Sequence, residues 1–188
     1  MKLIRQFKTP KFAILKDKIL SQSMEWYFEP YSANNKHPFF AHVVKHRDNP
    51  DFNSYLSDET IDTFKDICLE NDIKPREIIR VSYNSTFYQD DELTDYHIDY
   101  EEPHQVFLLY FTTNDRGPTA ISEVKYNKDD SHTLWPATSI DNDKVGKVQK
   151  VYPYEGSALI FDGQYYHAGG HPKSGERRVV LTINFREW

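Results

Sequence analysis

The sequence predicts a mainly β fold, a double-stranded β-helix (jelly roll) with N-terminal helices packed on one sheet. Three observations carry this. Aromatic residues make up 15% of the 188-residue chain, with 13 Tyr and 12 Phe against 2 Met, a composition that suits strands better than helices. From Arg76 onward, seven short segments bounded by Gly, Pro, Asn or Asp read as strands with no helical pattern between them. Before that point, apolar residues recur at helical spacing.

Residues 1–75 read as a helical support region and 76–188 as the jelly-roll core of one domain spanning 1–188. After Pro10, residues 11–26 set Phe12, Leu15 and Ile19 on one face, with Met24 or Trp26 beyond. A second helix is expected over 58–70: Ser57 suits the N-cap, Asp58 and Glu59 the first turn, and Ile61, Phe64, Ile67 and Cys68 form the stripe. Between the helices, 27–55 is rich in Asn, Pro and His and is expected to be an irregular surface excursion. Strands are expected at 76–88, 104–113, 119–126, 146–154, 157–162, 165–169 and 177–186.

Composition narrows the function. A single cysteine, Cys68, excludes an internal disulfide or a cysteine zinc cluster and fits a reducing, cytoplasmic compartment. No run of about 18 apolar residues is present, so no membrane-spanning helix is expected. A net charge of −6 argues against a nucleic-acid backbone as the main partner. The acids are concentrated, with seven between Gln89 and Glu102 and no Lys or Arg among them.

Two His-x-Asp triplets occur, His46-Arg47-Asp48 and His97-Ile98-Asp99. The first runs into Asn49-Pro50 and reads as a solvated loop. The second lies between two apolar strand segments, where residues i and i+2 project to the same side, so His97 and Asp99 converge. An imidazole and a carboxylate plus one further histidine make the donor set of non-haem Fe(II) oxygenases. The downstream candidates are His104, His132, His167 and His171; His167 follows the strongest strand-turn pair, Ser157 to Gly163.

If 165–169 and 177–186 pair as a hairpin centred between Lys173 and Ser174, Arg178, Val180 and Thr182 share the face of His167. Val179, Leu181, Ile183 and Phe185 then form an apolar face for the helices to cover. A one-residue bulge at Gly175 would exchange Arg178 for Arg177.

His97-x-Asp99, His167, and Arg178 on a final strand reading Arg-Val-Val-Leu-Thr-Ile-Asn-Phe resemble the Fe(II)- and 2-oxoglutarate-dependent dioxygenases, specifically the compact prolyl-hydroxylase-like branch, which includes phage-encoded members. The segment Val151 to Gly163 resembles the family's stretch before the distal histidine. The likeness covers 76–188. It implies Fe(II) held by His97, Asp99 and His167, with 2-oxoglutarate and O2 as cosubstrates. It further implies that Arg178 binds the distal carboxylate of 2-oxoglutarate, with Thr182 and Tyr83 assisting and Asn84 a possible substrate contact. The activity implied is hydroxylation of a small-molecule or peptide substrate, peptidyl proline or another amino-acid-like compound, with release of succinate and CO2. The stretch Asn114 to Ile121 lacks the glycine-rich segment many prolyl hydroxylases carry there, which separates the iron site from prolyl specificity. The competing reading is a non-catalytic, cupin-like jelly-roll binding module; cupins place histidines as His-x-His, which is absent here.

Overall fold

The computed structural model describes residues 1–188 except 6, 8, 33–35 and 129–137. In chain order the elements are β1 (Lys2–Ile4), α1 (Pro10–Leu20), β2 (Tyr27–Glu29), β3 (Phe39–Lys45), α2 (Ser57–Glu70), β4 (Pro75–Phe87), β5 (His97–Ile98), β6 (Gln105–Tyr110), β7 (Thr119–Lys125), β8 (Thr138–Ser139), β9 (Val148–Val151), β10 (Ala158–Asp162), β11 (Tyr165–Ala168) and β12 (Arg177–Glu187). A seven-stranded sheet runs β1-β10-β6-β12-β4-β3-β2, and a five-stranded sheet runs β8-β5-β11-β7-β9. All described pairings are antiparallel. This is the jelly roll the sequence predicts.

Strand alternation distributes the side chains into layers. On the large sheet, Val81 and Tyr83 of β4, Phe107 and Leu109 of β6, and Val179, Leu181, Ile183 and Phe185 of β12 face outward. They form one core with Phe12, Leu15 and Ile19 of α1 and Phe64, Ile67 and Cys68 of α2. Phe64 meets the rings of Phe107 and Phe185 edge-on at 5.0 and 5.3 Å. Burying each such ring or branched chain stabilises the fold by about 1.5–3 kcal/mol. The opposite parity points between the sheets: Val106, Leu108, Tyr110 and Val180 pack with Ile121 of β7 and Val151 of β9. The helices thus brace the back of the large sheet and leave its inner face to the cavity. Burial also pushes the Cys68 thiol up to about 12, as befits an inert core residue.

Helix α1 starts where expected, with Thr9 Oγ1 accepting from Phe12 N at 3.2 Å and Pro10 in the first turn. It stops at Leu20, short of Trp26, because the Ser21 hydroxyl donates to Lys18 O at 2.7 Å and turns the chain. In α2, Ser57 is the first helical residue rather than the cap, its hydroxyl donating to Ser54 O at 2.6 Å. The stretch 27–55 is more ordered than expected, since β2 and β3 extend the large sheet, Phe40 pairing with Ser85 and Ala41 with Asn84. The alternation of Phe39, Ala41 and Val43 toward the cavity is the strand signal there.

One expected pairing is absent. Strand β11 pairs with β5 and β7 in the small sheet, whereas β12 pairs with β4 and β6 in the large one, so the two are not a hairpin. The intervening residues cross between sheets, and β11 and β12 face each other across the interior. At this crossing Gly170 lies so close to Gly117 that a Cβ would sit 2.2 Å from its Cα. Among the described residues no helix is long and apolar enough to cross a membrane.

Candidate metal centre and cosubstrate pocket

Strands β5 and β11 pair with His97 directly opposite His167, which brings the two imidazoles together with ring centroids 4.9 Å apart. Asp99, just beyond β5, completes a group of three donors lying within 4.8 Å of one another. His97 Nδ1–H donates to Asp95 O and His167 Nδ1–H donates to Tyr165 O, each at 3.0 Å. With Nδ1 protonated, each ring turns an Nε2 lone pair inward, the tautomer a metal ligand requires. His97 Nε2 lies 3.7 Å from Asp99 Oδ1 and His167 Nε2 lies 3.8 Å from Asp99 Oδ2, beyond good hydrogen-bond length. The donors therefore converge without satisfying one another, and a divalent first-row ion suits both the gap and the donor types.

Burial alone would raise the Asp99 carboxyl, but the facing His167, with His97 and Arg80, outweighs it and holds the group well below the usual range. Burial and the neighbouring His167 push His97 down. At His167 burial also lowers the pKa, but the Asp99 carboxylate prevails and raises it. Asn184 of β12, itself buried, donates from Nδ2 to Asp99 Oδ2 at 2.8 Å and fixes the carboxylate. Sequence reasoning passed over Asn184, although its even parity places it on the face of Arg178, Val180 and Thr182.

These donors open into a cavity of about 700 Å³ between the sheets. Arg178 lies in its wall, 3% exposed, with Nη2 donating to Thr119 Oγ1 at 2.8 Å. The Tyr110 hydroxyl bonds the same Thr119 oxygen at 2.7 Å, and the guanidinium carbon sits 5.5 Å from the Tyr110 ring centroid. Among the described residues Arg178 Nε has no partner. A buried guanidinium with an unused donor is costly unless an acceptor fills the pocket, and a carboxylate fits that fork. Thr182 also lines the cavity and accepts from Asn84 Nδ2 at 3.2 Å. Arg177 points away, exposed and donating to Leu20 O.

Tyr83 is not at this pocket. It pairs with Leu181, whose side chain faces the helices, so Tyr83 is buried in the outer core with its hydroxyl 2.6 Å from Thr60 Oγ1. Tyr110, paired with Val180, occupies the position expected of a tyrosine beside Arg178. His171, another candidate donor, lines the cavity away from the triad, fully buried and donating from Nδ1 to Asp91 O at 2.8 Å. His104 is buried against Gly163 and bonded to Glu102 O, outside the cavity wall. His132 lies outside the described residues. The loop 46–48, expected to be merely solvated, borders the cavity through His46, Arg47 and Asp48.

No family model matches the chain, and no curated protein is similar to it in sequence. Solved structures share its fold. The 2-oxoglutarate-dependent epimerase SnoN of nogalamycin biosynthesis superposes with a TM-score of 0.64 at 8% identity, over 97% of this chain and 76% of that one. A Trichoplax adhaerens prolyl hydroxylase, solved with a peptide fragment of hypoxia inducible factor, gives 0.62 at 13% identity, over 98% and 82%. A Pseudomonas putida prolyl-4-hydroxylase gives 0.57 at 12% identity, over 100% and 92%. The fold is one these 2-oxoglutarate-dependent and prolyl-hydroxylase structures share, and His97, Asp99 and His167 converge as two imidazoles and one carboxylate, a donor set suited to a divalent first-row metal.

Proposed function

We propose that the chain is an Fe(II)- and 2-oxoglutarate-dependent dioxygenase that hydroxylates an amino-acid-like substrate, a small molecule or a peptidyl proline, with release of succinate and CO2. The observation that carries this is the presence in one cavity of three converging metal donors and a buried arginine with an unused donor. His97, Asp99 and His167 would hold the iron at the wall of the cavity. Arg178, with the hydroxyls of Thr119 and Tyr110, would hold the distal carboxylate of 2-oxoglutarate. Thr182, braced by Asn84, presents a hydroxyl beside them. When bound, iron and cosubstrate supply the oxidising power that turns O2 into a hydroxylating agent. The protein's own share is orientation: Asp95 and Tyr165 set the imidazole tautomers, Asn184 sets the carboxylate, and the apolar walls of Val106, Leu108 and Val180 exclude water. Residues 1–188 act as one domain, and the lone unpaired Cys68 fits a cytoplasmic setting in which iron stays ferrous.

Thermal unfolding with Mn(II), 2-oxoglutarate, or both tests the reading. Joint addition is expected to stabilise the protein well beyond the sum of the two alone, since the metal completes the cosubstrate's site. Stabilisation by a sugar with no response to the pair would favour a jelly-roll binding module instead.

A further inference from the structure

We propose that Arg80 and Arg47 form an anion-binding subsite at the cavity rim, and that the substrate therefore carries a carboxylate or phosphate group. The proposal rests on the oxygenase reading in that the substrate enters the same cavity.

Arg80 lies on β4 with the even-numbered, inward-facing set, and its main-chain partner on β12 is Asn184, the residue that fixes Asp99. Arg80 is a partly buried residue that lines the cavity, and the Asp99 charge acts on it. Arg47 follows the end of β3, where Lys45 pairs with Val81, and so leaves the sheet beside Arg80. The loop carrying Arg47 is anchored. Lys45, itself buried, donates to Asn49 O at 2.9 Å and Ile79 O at 3.3 Å, clamping the turn onto β4. The Arg47 guanidinium carbon lies 5.9 Å from the ring centroid of Tyr100, the residue after Asp99.

Arg47 and Arg80 thus line the same cavity, and each lies within electrostatic reach of the other. Among the described residues neither forms an ion pair, nor does either side chain make a hydrogen bond. The acids that share the rim do not relieve them. Glu29 acts on Arg80 only at a distance, the exposed Asp48 faces His46 at 3.6 Å, and Asp99 belongs to the metal donors. Partly buried arginines with no acceptor among the described residues, beside the metal donors, are the complement of an oxyanion. Arg178 is already committed deeper in the cavity, so the rim pair addresses a second anionic group. A free carboxylate or a phosphate would then orient the substrate across the metal, which favours a free acid or phosphorylated compound over the interior of a peptide.

The test uses the full chain, 15N-labelled and loaded with Zn(II) as a diamagnetic occupant of the triad, and follows the arginine Nε–Hε signals. Addition of 2-oxoglutarate should move the Arg178 signal, which reports the oxygenase reading by itself. Inorganic phosphate and N-acetylglycine are then titrated separately into cosubstrate-saturated protein. At least one probe should move the Arg47 and Arg80 signals along a common saturable curve, and the tighter of the two names the group. Arg80→Gln should weaken that probe by about tenfold or more, and Arg80→Lys, which keeps the charge without the fork, by less. No saturable movement with either probe, or a curve unchanged in Arg80→Gln, overturns the proposal whatever Arg178 does.

Discussion

Replacing Arg178 by Gln separates binding from stability. Arg178 is 3% exposed, its guanidinium donates to Thr119, and Nε has no partner among the described residues. A carboxylate in the pocket would take two charge-assisted hydrogen bonds from this fork, each contributing about 1.5–3 kcal/mol. Their loss amounts to at least about 3 kcal/mol, or roughly a hundredfold in 2-oxoglutarate affinity. The metal-free protein should respond in the opposite sense. Glutamine removes a buried, incompletely paired charge, so its melting temperature should equal or exceed that of the wild type. Anaerobic calorimetry of 2-oxoglutarate binding to the Mn(II)-loaded protein, beside thermal unfolding of the metal-free form, measures both. Arg177→Gln is the control, since that side chain is exposed and bonds Leu20 O. Affinity within about threefold of wild type for Arg178→Gln, or an equal loss for Arg177→Gln, refutes the assignment.

Tyr110→Phe should weaken 2-oxoglutarate by roughly fivefold, the value of one hydrogen bond of about 1 kcal/mol, whereas Tyr83→Phe should leave that affinity intact and lower stability through its lost contact with Thr60; calorimetry and chemical unfolding of the pair decide it. Gly170→Ala drives a Cβ to 2.2 Å from the Gly117 backbone and should cost about 2–3 kcal/mol, lowering the melting temperature by roughly 5–10 °C. Burial lowers the His104 pKa, so the unfolded chain takes up its proton first as pH falls. The stability this histidine contributes is intact above about 6.5 and is lost as pH drops toward the lower folded value. Melting curves of metal-free protein between pH 7.5 and 5.5 should show this decline, and His104→Gln should make it shallower.

The jelly roll was legible because its strands are short, aromatic and turn-bounded, and the converging donors because His97-x-Asp99 sits between two strong strands. Parity along β12 also separated the outward Val179, Leu181, Ile183 and Phe185 from the inward Arg178, Val180 and Thr182, a split the structure shows. The route to it was wrong, since β11 and β12 lie in different sheets; the inward sets coincide because both strands face one cavity. Tyr83 was misassigned for a related reason. Its direction depends on the register of β4 against β12, Tyr83 opposite Leu181, and no local signal carries that. The same register puts Arg80 opposite Asn184, which no local signal in β4 carries, whereas Asn184 itself shares the even parity of Arg178, Val180 and Thr182. Strand β3 was obscured by the Asn- and Pro-rich residues on either side of it, and with it went the reading of 46–48 as a plain loop.

The most direct test is turnover of 2-oxoglutarate. Purified protein supplied with Fe(II), 2-oxoglutarate and O2 should form succinate and CO2 in equal amounts, at a rate raised by the true substrate, which gains 16 Da. His167→Ala and Asp99→Ala should abolish succinate formation by removing iron ligands. Succinate formation that persists in both variants, or its absence from wild-type protein shown to hold Fe(II) and 2-oxoglutarate across a broad substrate screen, would contradict the account.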